Sequence, residues 1–145
     1  MCETIETYKH ITREENGRSL EVLNPARWEI GVVQVDGCLI TDTKRCDWMI
    51  RLPAQQKLSA GIVSVKLVEL KGKSSKVQKA FEQLDATLEH PAIAADKNFI
   101  NECFVVTQLT PSFSGTIQNL KVQFQANHGI KASVVSCAKI DVDNP

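Results

Sequence analysis

Ile62-Val63-Ser64-Val65-Lys66-Leu67-Val68-Glu69-Leu70 is the clearest strand in the chain, and its reading sets the fold class. Its upstream half is mostly apolar, as expected for a strand inside a sheet rather than at its rim. Alternation places Val63, Val65, Leu67, Glu69 and Lys71 on one side, so Glu69 and Lys71 are neighbours at the strand's C-terminal end. Gly72 ends the strand, and Ser75-Lys76-Val77-Gln78 matches a capping box. The helix behind it gathers Val77, Ala80, Phe81, Leu84 and Leu88 on one apolar face, and His90-Pro91 stops it.

Upstream, residues 3–20 are polar with weak helical periodicity, and Asn16-Gly17 breaks them. From Trp28 the chain reads as strand through Ile30, Val32 and Val33 into Val35-Asp36-Gly37-Cys38, where Asp-Gly between β-branched runs predicts a hairpin. The return arm runs Cys38-Leu39-Ile40, passes an irregularity at Thr41-Asp42-Thr43, and continues from Arg45 to Ile50. Asp36 and Asp42 read as turn formers, and Pro53 to Gly61 as a loop.

Downstream, residues 101–109 form another strand. Phe113, Ile117, Leu120 and Phe124 mark a second helix that stops at Gly129. Ile130 to Val135 is a last strand, and Asp141 to Pro145 a loose tail. The order is a short helix, a hairpin, then β, α, β, α, β. This predicts a single α/β domain over residues 1–145, with its core at about 28–136 and a mixed central sheet flanked by helices.

Composition removes several classes. With 145 residues and a hydrophobic fraction of 43%, the chain has material for one core and is too apolar for a disordered linker. No apolar run reaches the roughly 18 residues of a membrane-spanning helix, and Met1 to Arg18 lacks the apolar stretch of a signal peptide, so no membrane partner is expected. Five cysteines at 2, 38, 46, 103 and 137 include no C-x-x-C pair, which predicts reduced thiols and a cytoplasmic protein. Three separated histidines offer no metal-binding spacing.

Charge is balanced overall, with 17 basic and 17 acidic residues, but not along the chain. Lys44 to Lys79 holds nine Lys/Arg and two acids, a charge of +7, which leaves −7 elsewhere. The two acids are Asp47 and Glu69. If the strands holding them pair antiparallel, both carboxylates lie at one polar end beside Lys71. Mg²⁺ relieves such like-charge crowding, because it takes one or two carboxylates and keeps places for waters and phosphate oxygens. A lysine beside it orients water or offsets charge on a phosphate.

Cys46-Asp47-Trp48-Met49-Ile50 followed by Val68-Glu69-Leu70-Lys71-Gly72 resembles the PD-(D/E)XK, or restriction-endonuclease-like, nuclease superfamily over residues 28–110. Cys46 stands where that family often has Pro. The resemblance implies a core of a helix, a hairpin, a third strand, a helix and a fourth strand. It further implies that Asp47 and Glu69, with the Leu70 carbonyl, bind Mg²⁺ (or Mn²⁺) and that Lys71 handles the attacking water. Gln83-Leu84-Asp85-Ala86-Thr87 is similar to a glutamine motif on the helix of related exonucleases and resolvases, which implies a catalytic Gln83. Lys76, Gln83 and Thr87 fall within about 40° of one another on that helix, with Lys79 beside them. Lys76, Lys79 and Thr87 are thus expected to hold nucleic acid. The family's further acid is open between Glu14, Glu15, Glu21 and Glu29.

The function expected is Mg²⁺-dependent hydrolysis of phosphodiester bonds in DNA, with specificity left to DNA shape, a homodimer or a partner subunit. The alternative is a non-catalytic module on the same fold that binds nucleic acid or protein through the basic segment. A third reading is a structural or regulatory partner without nucleic acid.

Overall fold

In a computed structural model, which describes residues 1–73, 76–108 and 114–145, the chain is a mixed α/β fold in three layers. The described residues form β1 (Glu3–Glu6), β2 (His10–Glu15), β3 (Arg18–Leu23), β4 (Ile30–Gln34), β5 (Trp48–Pro53), β6 (Ile62–Leu70), α1 (Val77–Glu89), β7 (Ile100–Val106), α2 (Ser114–His128), β8 (Lys131–Val135) and β9 (Ala138–Asp141). The middle layer is a six-stranded sheet of order β1-β4-β5-β6-β7-β8, antiparallel through β6 and parallel from there to β8. Helices α1 and α2 are the crossovers that the two parallel steps require.

β6 owes its near-continuous burial to cover on both faces. Val65 and Leu67 pack under Ala80, Phe81, Leu84 and Leu88 of α1, and the Phe81 ring meets Phe124 of α2 edge-on at 5.6 Å between centroids. Val68 and Leu70 pack on the other side, with Ile11, Leu20, Val22, Ala138 and Ile140. These last residues belong to a second sheet, β2-β3-β9, that lies over the first. The core therefore extends beyond 28–136 at both ends.

Several expectations are corrected. Residues 3–20 hold no helix: they form β1, β2 and the first half of β3. Asn16-Gly17 is the two-residue turn of the β2–β3 hairpin, with φ of 54° and 71°, a conformation that Asn and Gly adopt most readily. Asp36-Gly37 does turn the chain, with Ile40 N–H donating to the Val35 carbonyl at 3.0 Å, but the chain does not run back along β4 there. The partner of β4 is β5, and residues 35–47 are a long connection pinned at both ends. β9 occupies residues 138–141, just where the tail was expected to begin. The capping-box Ser75 and the helix residue Phe113 lie outside the described residues.

Cys2 and Cys38 form a disulfide, which ties the start of the edge strand β1 to the turn after β4. This overturns the expectation of five reduced thiols and removes the thiol argument for the cytoplasm. Cys46 and Cys103 are buried free thiols, as expected, and burial pushes both well above the usual thiol range. No helix among the described residues is long and apolar enough to cross a membrane.

Candidate functional site

The C-terminal end of β6 lies where the sheet changes from antiparallel to parallel pairing. Glu69 is at that end, on the helix-facing side, and is 1% exposed. Its Oε2 meets Lys71 Nζ at 2.9 Å, while Oε1 is buried with no hydrogen-bond donor among the described residues. Asp47, just ahead of β5, comes opposite it: the Asp47 N–H donates to the Val68 carbonyl at 3.2 Å, and the Leu70 N–H donates to Asp47 Oδ2 at 2.8 Å. A side-chain oxygen thus replaces a backbone carbonyl in the ladder, which holds the carboxylate at the strand end. Asp47 is 7% exposed, so both acids are withdrawn from bulk water.

Burial, and then the negative charge and hydrogen-bonding contact of Asp47, push the Glu69 carboxyl up to about 8, against the opposing pull of Lys71. Glu15, the last residue of β2, is pushed up to about 7, first by desolvation and then by the nearby Asp47 carboxylate. Three carboxyls therefore crowd one end of the sheet, with Lys71 bonded to one of them. The hairpin tip that brings Glu15 there is docked by Asn16, whose side-chain amide donates to the Leu70 carbonyl at 3.2 Å. Gly72 leaves room for that docking, because a Cβ on it would stand a tight 3.0 Å from the Asn16 carbonyl oxygen.

Lys71 faces two environments. Beyond its bond to Glu69 it lines a cleft of about 520 Å³, together with Asn16, Gly72, Lys73, Lys76 and Lys79. Four lysines and no described carboxylate line that cleft, which gives it a positive character. The start of α1 adjoins it, and among the described residues neither an acidic first turn nor a side-chain cap competes there for an anion.

The structure thus brings Asp47, Glu69 and Lys71 together, and sets Lys76 and Lys79 exposed beside them. Arg45, two residues ahead of Asp47, pairs with Asp36 at 2.7 Å. The Leu70 carbonyl lies at the site and receives the Asn16 amide. Thr87 is fully buried, its hydroxyl accepting from the Cys46 N–H at 2.8 Å and donating to the Gln83 carbonyl at 2.7 Å. It lacks the surface that contact with nucleic acid requires, because helix rotation turns it into the layer between α1 and the sheet. Gln83 is half-buried, and its amide donates to the Arg45 carbonyl at 3.1 Å rather than into the lysine cleft. Trp48 is half-buried under the Arg13 guanidinium, 5.2 Å from the ring centroid.

Glu15, Asn16 and Lys73 were not among the residues singled out, apart from Glu15 as one of four open candidates. The Asn-Gly pair was the available signal: read as a hairpin turn, it puts the preceding residue at a projecting tip. Among the described residues no three His, Cys, Asp or Glu side chains form a ready-made metal cage. Two carboxylates do fit a hard cation that keeps its waters, and the undonated Glu69 Oε1 is the atom such a cation would satisfy. No protein-family model, curated protein or solved structure matches this chain, so the functional reading rests on the chemistry of these residues.

Proposed function

We propose that the protein is a metal-dependent phosphodiesterase acting on nucleic acid, DNA in the first instance. The observation that carries this reading is the pair of buried carboxyls, Asp47 and Glu69, joined through Lys71 to the four-lysine cleft. Acid crowding favours a divalent cation, and a basic cleft next to it favours the polyanion that such a cation would act on. The β4–β5–β6 antiparallel triplet, crossed by α1 to a parallel β7, supports a restriction-endonuclease-like core. The leading helix of that family is replaced here by strands, and the further acid comes from a hairpin tip.

In this reading Asp47 and Glu69 hold Mg²⁺, with the Leu70 carbonyl adjacent and Glu15 near Asp47. The bound cation supplies charge neutralisation at the phosphoryl group and a more acidic water. Lys71, held by Glu69 and lining the cleft, would orient water there and offset charge developing on the phosphate. Lys73, Lys76 and Lys79 hold the flanking backbone as phosphate contacts that carry no sequence information.

A second reading draws on the same cleft: a module that holds nucleic acid without cutting it. The test is a panel of branched, single-stranded and duplex DNA incubated with Mg²⁺, Mn²⁺ or EDTA, beside Lys71→Ala. Cleavage with Mg²⁺ that is lost in EDTA and in the variant is expected. Binding in Ca²⁺ without cleavage of any substrate makes the protein the module. In either case Lys76→Ala and Lys79→Ala should each flatten the logarithmic salt dependence of binding by about one unit.

A further inference from the structure

We infer that Thr87 and Gln83 of α1 are the positioning residues for the Asp47 carboxylate, a role that rests on the site proposed above. The two side chains grip a single peptide unit. The Arg45 carbonyl and the Cys46 N–H belong to one peptide bond: Gln83 Nε2 donates to its oxygen at 3.1 Å, and Thr87 Oγ1 accepts from its nitrogen at 2.8 Å. Gln83 and Thr87 stand four residues apart, about 6 Å along the helix axis. They hold the peptide from its two sides. The Thr87 hydroxyl is anchored in turn by donating to the Gln83 carbonyl at 2.7 Å, which fixes its rotamer.

The next residue is Asp47. Its N–H bonds Val68, its carbonyl receives the Val35 N–H at 3.0 Å, and its Oδ2 receives the Leu70 N–H at 2.8 Å. Of the chain just before Asp47, the 45–46 peptide is the unit tied to the helix layer rather than to the sheet. α1 thereby sets how far the carboxylate reaches past the strand end toward Glu69. Thr87 is fully buried, so removing its hydroxyl leaves the Cys46 N–H without its acceptor in a place that bulk water does not reach. The glutamine and threonine thus act through Asp47, and neither touches the cleft.

The test compares Thr87→Val, Thr87→Ser and Gln83→Met by amide hydrogen exchange and by calorimetric Mg²⁺ binding. In Thr87→Val the Leu70 amide, which reports on Asp47 Oδ2, should exchange at least about 10-fold faster, while Leu67 and Val105 keep their protection. Mg²⁺ affinity should fall about 10-fold, with Thr87→Ser restoring both readouts to within about 3-fold of the parent. Gln83→Met should give a smaller change of the same pattern, and it decides the matter if Thr87→Val does not fold. Unchanged Leu70 protection in the folded variants overturns the inference, as does uniform loss of protection at all three amides. A parent protein that takes up no Mg²⁺ overturns the metal-site proposal separately, and the exchange pattern still decides the positioning role.

Discussion

The Asn16 side-chain amide donates to the Leu70 carbonyl at 3.2 Å, joining the tip of the covering sheet to the end of the central strand. Through this bond Glu15 is set against Asp47, so the acid cluster depends on two sheets staying in register.

Asn16→Gly keeps the positive φ of this position and removes only the amide, whereas Asn16→Ala adds backbone strain. The glycine variant should lose about 1 kcal/mol of stability and the alanine variant about 1 kcal/mol more. In both, the Glu15 carboxyl should titrate closer to the ordinary 4.5 than to about 7. Carboxyl-detected NMR titration reads this directly, and an unmoved Glu15 would separate the hairpin tip from the site.

Metal-free stability should fall as pH rises from about 4.5 to about 8. The folded Glu69 carboxyl keeps its proton up to about 8, while the unfolded chain releases it near 4.5, so the folded state binds more protons across that window. Its stabilising contribution is complete below 4.5 and gone above 8, with a slope of at most about 1.4 kcal/mol per pH unit. Glu15 adds a smaller slope of the same sign, because it is exposed. Urea unfolding at several pH values should show this decline, and Glu69→Gln should flatten it.

Mg²⁺ and protons should compete for the same carboxyls. Apparent Mg²⁺ affinity is expected to rise up to about tenfold per pH unit while Glu69 is still protonated, and to level off above pH 8. Calorimetry in buffers of different ionisation enthalpy should detect proton release near pH 7. A pH-independent affinity would place the cation elsewhere.

Reducing the Cys2–Cys38 bond, or replacing Cys38 by Ser, should cost about 3–4 kcal/mol of stability for a cross-link spanning 36 residues. Non-reducing and reducing denaturation curves of the same protein make the comparison.

The helical half of the molecule was legible because its signals are periodic. Val77, Ala80, Phe81, Leu84 and Leu88 fall on the buried face of α1, and the apolar run 62–70 is the buried β6. Asp47, Glu69 and Lys71 converge because strand alternation and antiparallel pairing follow from sequence. The covering sheet was not legible. In its N-terminal hairpin the outward residues are mostly polar and the inward apolar ones are few, Ile11, Leu20 and Val22, so local pattern alone resembles a weak polar helix. The β3–β9 pairing joins opposite ends of the chain, and no local signal encodes it. Thr87 looked like a polar surface residue because a hydroxyl satisfied in the core cannot be told from a solvated one by composition.

The parallel pairing of β3 with β9 also sets a timetable. During synthesis the β2–β3 hairpin leaves the ribosome well before the strand that flanks it, residues 138–141. At cellular elongation rates the hairpin waits on the order of ten seconds for that neighbour. Strands β4 to β7 and helix α1, which carry the lysine cleft, Asp47 and Glu69, emerge in between. Glu15 is therefore the last acid to be locked into place. A nascent chain presents a lysine-lined surface before it holds the full set of carboxyls.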